Sequence, residues 1–254
     1  MRCRTNDWCD SLTSGSAAST LLRSSGVSRS GHLGMFASIG LQRGKPFHPD
    51  DRMRAILTEA AAVGNATARA LTYRARQQEA YCYPGSAWRP LFLGNYQFQD
   101  HGVALLDAAV ELYFPAFAVT PAEETRMVGA GSQYVVAFVD ATGEPLDGGK
   151  TYRLRVPPNV PVNNFWSIIV YDTQTRSMLQ TGQEWPSVTS QDSDFATNAD
   201  GSADVYFGPQ PPTDGHNWIQ TLPGKGWNML FRLYGPLEPW FDRTWRLNEI
   251  ELAN

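Results

Sequence analysis

Two periods organise this chain. Between Met53 and Val63 the apolar residues Met53, Ile56, Leu57, Ala60 and Val63 recur at helical spacing, one stripe of an amphipathic helix. Pro49, Asp50 and Asp51 precede it; proline is pre-set for a first helical position and acids favour the positive end of a helix. The pattern predicts a helix running to about Leu71. From Ser132 the period becomes two. Tyr134 to Val139 is a compact β-type run, Thr142, Gly143, Asp147, Gly148 and Gly149 supply turn chemistry, and Thr151 to Val156 puts Tyr152, Leu154 and Val156 on one face. Pro157, Pro158 and Pro161 end that strand. In Phe165 to Tyr171, Trp166, Ile168 and Val170 oppose Phe165, Ser167, Ile169 and Tyr171. Both faces are largely apolar, so this strand is predicted to be central and covered.

Asn198, Asp200 and Gly201 mark a hairpin turn between Phe195 and a strand Asp204 to Phe207. Trp218 to Leu222 and Trp227 to Tyr234 follow, separated by Pro223, Gly224, Lys225 and Gly226. Many short strands at this spacing predict a mainly β fold, a jelly-roll-like antiparallel sandwich, rather than a parallel α/β design. Between the helix and these strands, Tyr81 to Pro90 and Gly94 to Gly102 are aromatic and turn-rich, and Val103 to Phe114 has helical character. Thr120 to Glu123 reads as a capping box for a further short helix. The organisation predicted is a Ser- and Arg-rich tail over 1–34, disordered or non-native, a small mostly helical subdomain over 35–130, and the sandwich over 131–254.

Composition narrows the classes. The 254 residues carry a formal net charge of −4 and 18% charged residues, with no basic block to follow a phosphate backbone, so nucleic acid is not an expected partner. No window reaches the roughly twenty apolar residues of a transmembrane helix. The start has no continuous apolar run of secretory length. Cys3, Cys9 and Cys82 suggest no disulfide framework. His32, His48, His101 and His216 form no close pair with one another or with cysteine, so neither a metal motif nor a cofactor is expected.

Pro157 to Thr181 (PPNVPVNNFWSIIVYDTQTRSMLQT), Asn198 to Pro209 (NADGSADVYFGP), Asn217 to Trp227 (NWIQTLPGKGW) and Leu233 to Glu251 (LYGPLEPWFDRTWRLNEIE) resemble the bacterial domain-of-unknown-function family 1214. Phe36 to Asp50 and Leu57 to Leu71 resemble the helical linker part of the same proteins. The resemblance implies a jelly-roll sandwich after a small helical subdomain, and no settled activity. Family members usually carry a further domain, family 1254, ahead of the helical part, often behind an export signal to the periplasm. Met1 to Gly34 matches none of it, which suggests a truncated gene, a misplaced start or a shifted frame, and leaves localisation open.

Candidate chemistry lies at strand ends and in one polar row. Asp172, Thr173, Thr175 and Arg176 follow the strand ending at Tyr171, where binding residues gather; the same residues also suit a turn capped by Asp172 with Arg176 pairing locally. Arg232 and Tyr234 alternate with Phe231 and Leu233 and share a face with Asn228. A guanidinium there suits a carboxylate or a sugar hydroxyl. Trp218, Trp227, Trp240 and Trp245 suit either sugar stacking or the core. Lys225 occupies a tight turn without phosphate-loop spacing. Asp192 with Asp194, or Glu238 with Asp242, are candidate paired carboxylates for glycoside cleavage, though exposed solvated acids fit them as well.

Two functions from different classes are compatible with these residues. One is a small-molecule or saccharide-binding module using Tyr171, Asp172, Arg176, Trp227, Arg232 and Tyr234. The other is a hydrolase-type enzyme needing a further domain, with Asp172 or Glu238 as acid or base beside Arg232. A purely structural or homo-oligomerising module is the third use of such a fold.

Overall fold

The computed structural model describes residues 29–94, 97–116, 125–213 and 217–253. The chain divides into two compact units, Met1–Ala68 and Arg69–Asn254. The predicted capping box at Thr120 to Glu123 and two of the cysteines, Cys3 and Cys9, lie outside the described residues.

In the first unit, helix α1 spans Arg29–Ser38. Helix α2, Asp51–Tyr73, begins here and ends in the second unit. Its start lies two positions beyond the predicted one, at Asp51 instead of Pro49. Asp50 is the cap, its carboxylate accepting the Met53 amide at 2.7 Å, so Pro49 precedes the cap instead of opening the helix. The predicted apolar stripe is open to solvent at Ile56 and Val63.

The second unit is mainly β, as the period-two pattern predicts. Strands β1 (Arg89–Pro90), β4 (Ser132–Ala137), β6 (Val162–Asp172), β7 (Ser187–Thr189) and β10 (Trp227–Pro236) form one sheet in the order β1-β4-β10-β6-β7. Strands β5 (Tyr152–Val156), β8 (Ala203–Gly208), β9 (Trp218–Gln220) and β11 (Ile250–Leu252) form another, ordered β11-β5-β8-β9. All pairs are antiparallel except β8 with β9. Among the described residues neither sheet closes into a barrel. A small hairpin, β2 (Gln99–Asp100) and β3 (Val103–Ala104), precedes helix α3 (Leu106–Tyr113). The helical character predicted from Val103 thus begins three residues later, because Val103 and Ala104 take up pairing with Asp100 and Gln99.

The core lies between the two large sheets. Trp166, Ile168 and Val170 of β6 and Trp227, Met229, Phe231 and Leu233 of β10 meet Tyr152, Leu154 and Val156 of β5 and Val205 and Phe207 of β8 in one buried cluster. The division of β6 into two faces is the predicted one. Alternation places every second residue on the same side of a strand, and the rings interlock: Trp227 stacks on Phe207 at 4.9 Å and meets Tyr152 edge-on at 5.6 Å. The turn at Asn198 to Gly201 forms, with the Gly201 amide donating to Asn198 O at 2.9 Å and Gly201 at a φ of +79°. Only one arm of the predicted hairpin is a strand; around Phe195 the chain makes turns instead.

Candidate functional site

Strand β10 has two faces with different work. Trp227, Met229, Phe231 and Leu233 enter the core, so Asn228, Leu230, Arg232 and Tyr234 must point away from it. Register with the neighbouring strands then builds a patch on this outer face. Arg232 stands between Tyr134 of β4 and Ser167 of β6, and Tyr234 between Ser132 and Phe165. Asn228 stands beside Tyr171.

The Arg232 guanidinium is held between rings, 5.6 Å from the centre of Tyr134 and 5.2 Å from that of Tyr234. Tyr234 in turn stacks on Phe165 at 4.1 Å, with the ring planes 15° apart. Arg232 is partly buried, and its Nε is shut from solvent without a hydrogen-bond partner. Among the described residues no carboxylate forms an ion pair with it. Burial pushes the Tyr171 phenol up from its ordinary value, while the charge of Arg232 pulls it down and Tyr234 pushes it up. Tyr171 therefore remains a neutral hydroxyl that both donates and accepts. The patch offers one cation, several hydroxyl and amide groups, and flat apolar rings.

Asp172 and Arg176 belong to a separate structure. Asp172 follows the core-facing parity of β6 and is buried. Its carboxylate accepts the Gln174 amide at 2.6 Å, the Thr175 amide at 3.3 Å and the Lys225 ammonium at 2.7 Å. Burial pushes its carboxyl up, but the Lys225 bond and the two amides outweigh burial and hold it below the usual value. Arg176 takes a φ of +62°, its amide donates to Asp172 O at 2.7 Å, and its guanidinium donates to Gln174 O at 3.1 Å and lies 4.5 Å over the Phe114 ring. The Thr173 carbonyl accepts from Arg69 and from the Tyr73 hydroxyl. This is a fastened turn, with Lys225 as its counter-ion.

The structure thus brings together Tyr171, Arg232 and Tyr234. It places Asp172 and Arg176 at the turn beyond the strand, and Trp227 inside the core on the opposite face of β10. Asp172 and Arg232 point to opposite sides of their sheet, so they do not form an acid and guanidinium pair. Glu238 is exposed and binds Arg126 at 2.6 Å. Asp192 accepts the Thr189 amide at 2.8 Å and Asp242 the Thr244 amide at 2.9 Å, both as turn caps. Trp245 is buried and donates to Pro158 O at 3.1 Å, and Trp218 donates to Gly208 O at 3.0 Å. Tyr134 and its place beside Arg232 escape sequence reasoning, because only the β4 to β10 register, across about a hundred residues, reveals them. Among the described residues no group of three or more His, Cys, Asp or Glu is arranged to hold a metal, and no helix is long and apolar enough to cross a membrane.

Comparison with known proteins gives similarities without an activity. No curated protein matches the sequence. The chain is similar to the crystal structure of a protein from Vibrio parahaemolyticus, with 20% identity and a TM-score of 0.44, over 87% of this chain and 50% of that one. It is also similar to a putative uncharacterized protein from Burkholderia cenocepacia, with 17% identity and a TM-score of 0.36, over 98% of this chain and 49% of that one. The chain therefore spans about half the length of these two solved chains. Residues 131–238, which run from the start of β4 to just beyond β10, match the family model DUF1214, a protein family of unknown function.

Proposed function

We propose that the outer face of the five-stranded sheet binds a small polar molecule or a saccharide, with Arg232 as the anchor and Tyr134, Tyr171, Tyr234 and Phe165 as the wall. One observation carries this reading: a half-buried guanidinium with an unmet Nε–H and no carboxylate in an ion pair with it among the described residues. A buried donor without an acceptor costs about 1–3 kcal/mol, and a guanidinium presents a planar fork that matches carboxylate oxygens. The flanking rings accept the apolar face of a sugar while their hydroxyls and Ser167 meet its polar edge. A sugar acid unites these features, its carboxylate on Arg232 and its ring on Tyr234.

Isothermal titration of the full chain with glucuronate, galacturonate and the matching neutral sugars tests this. A sugar acid is expected to saturate, with at least tenfold weaker binding in Arg232→Met. Equal binding by the variant, or no binding by any sugar or sugar acid, refutes the assignment.

A further inference from the structure

The β2–β3 hairpin and α3 stand apart from the sandwich core. Phe98, Ala108 and Leu112 bury one another with Leu93, Leu105 and Ala109 in a separate apolar cluster, so this piece carries packing of its own. It lies on the outer face of the five-stranded sheet. Tyr134 pairs with Arg232 and Val136 with Leu230, and alternate residues of a strand share a face, so Val136 continues the row that Tyr134 belongs to. Tyr134 is partly exposed, whereas Val136 and Phe138 are 5% and 6% exposed. Those two line a small cavity together with Ala108, Glu111 and Pro115. Helix α3 therefore covers one end of the face whose open part carries Arg232.

The latch that holds it there is polar and incompletely satisfied. The Arg89 guanidinium donates to the Thr72 carbonyl and, at 2.5 Å, to Glu111 Oε2, and the two side chains are 6% and 7% exposed. Arg89 Nε, Glu111 Oε1 and Thr72 Oγ1 are shut from solvent without a partner, where native interiors leave few such atoms. Lifting α3 hydrates all three. It also hydrates both charges, and a buried ion pair gains little over two hydrated ions once their desolvation is counted. A second tie is made of rings: Phe114, directly after α3, lies under the Arg176 guanidinium at 4.5 Å and edge-on to Tyr73 at 6.1 Å. The cavity between Val136 and Ala108 marks contacts that the closed form does not make.

We propose that the β2–β3 hairpin and α3 form a lid that lifts from the sheet as one piece, with the Arg89 and Glu111 pair as its latch, and so lengthens the face beside Arg232 by the strip over Val136 and Phe138. That the lid serves a ligand there rests on the binding assigned to Arg232; the lifting itself does not.

Thiol labelling of the full chain tests it. In a Cys3→Ser, Cys9→Ser background, Ala108→Cys and Val136→Cys each put a thiol on one side of the lid interface. Ala137→Cys, next to Val136 but 0% exposed in the sandwich core, puts one where only global unfolding reaches. Without denaturant, a pyridyl disulfide is expected to label the first two at similar rates, at least tenfold faster than the third. The amides of Phe114 and Ala116, bonded to the Val110 and Leu112 carbonyls, should meanwhile exchange with an opening constant at least tenfold smaller than labelling gives, because the helix moves intact. Labelling no faster than at Ala137→Cys overturns the lid. Amide exchange in step with labelling overturns it too, since α3 would then be melting instead of lifting. Ala108→Cys and Val136→Cys report the same opening separately, so one of them suffices where the other does not fold. Fast labelling in a chain that binds no sugar acid supports the lid and refutes only the Arg232 assignment.

Discussion

Replacing Arg89 and Arg232 in turn by methionine should have opposite meanings for stability, and the contrast tests whether Arg232 serves the fold or a ligand. Arg89 holds Glu111 at 2.5 Å and a backbone carbonyl. Arg89→Met strands a carboxylate whose side chain is 7% exposed, and breaking a buried pair from one side costs about 3–5 kcal/mol. Arg232 holds no described acceptor. Arg232→Met forfeits two cation and ring contacts, about 0.5–1 kcal/mol each at a partly exposed site, and removes an unmet Nε–H whose burial costs about 1–3 kcal/mol. The opposing amounts nearly cancel, so the net change should stay within about 1 kcal/mol, leaving a gap of roughly 3 kcal/mol between the variants. Urea unfolding of the full-length proteins, followed by circular dichroism and tryptophan emission, measures it, provided the slope with denaturant is unchanged. A loss above about 2 kcal/mol in Arg232→Met would show that this arginine braces the sheet, and the binding proposal would lose the observation that carries it.

Asp172→Asn keeps an acceptor for the Gln174 and Thr175 amides but loses the charge facing Lys225, and should cost about 1–2 kcal/mol at pH 7. Because the folded carboxyl titrates below its ordinary value, this contribution is present above the unfolded pKa of about 4 and fades as pH falls through the folded value. The wild-type and Asp172→Asn midpoints should therefore converge in acid; a constant difference would refute the assignment. Gly148→Ala would place a Cβ 2.3 Å from Leu222 O and 2.9 Å from Lys225 O, an overlap with backbone that should cost about 3 kcal/mol or more in the same unfolding assay. Burial pushes the Cys82 thiol up to about 12, so in a Cys3→Ser, Cys9→Ser background iodoacetamide at pH 8 should label the native chain far more slowly than the urea-unfolded one.

Within strands the sequence is informative, and across them it is not. The alternation in β6 and β10 separates Trp166, Ile168 and Val170 from Tyr171, and Phe231 and Leu233 from Arg232 and Tyr234, as the structure has them. The same parity sends Trp227 to the core, away from the polar row it was grouped with. What escapes is pairing at a distance. The neighbours of Arg232 come from β4 and β6, and the partner of Asp172 from the turn before β10, placements that depend on register and leave no local pattern. The Arg89 and Glu111 pair is equally silent, since an isolated arginine and a helical glutamate look like solvated charges until the fold brings α3 against β1. The two-residue strand at Arg89 is too short to declare itself by periodicity.

The position of β10 carries a consequence for how the protein reaches its native state. It is the middle strand of the larger sheet, yet it comes near the end of the chain, after β4 and β6 have both been synthesised. Until it emerges from the ribosome, those two strands face a gap instead of a partner, and the core lacks Trp227, Met229, Phe231 and Leu233 beside Trp166, Ile168 and Val135. Assembly must therefore wait for β10 and then join segments about 55 to 100 positions apart, a search that makes for slow folding. A nascent chain stalled before Trp227 would be the form most dependent on chaperones.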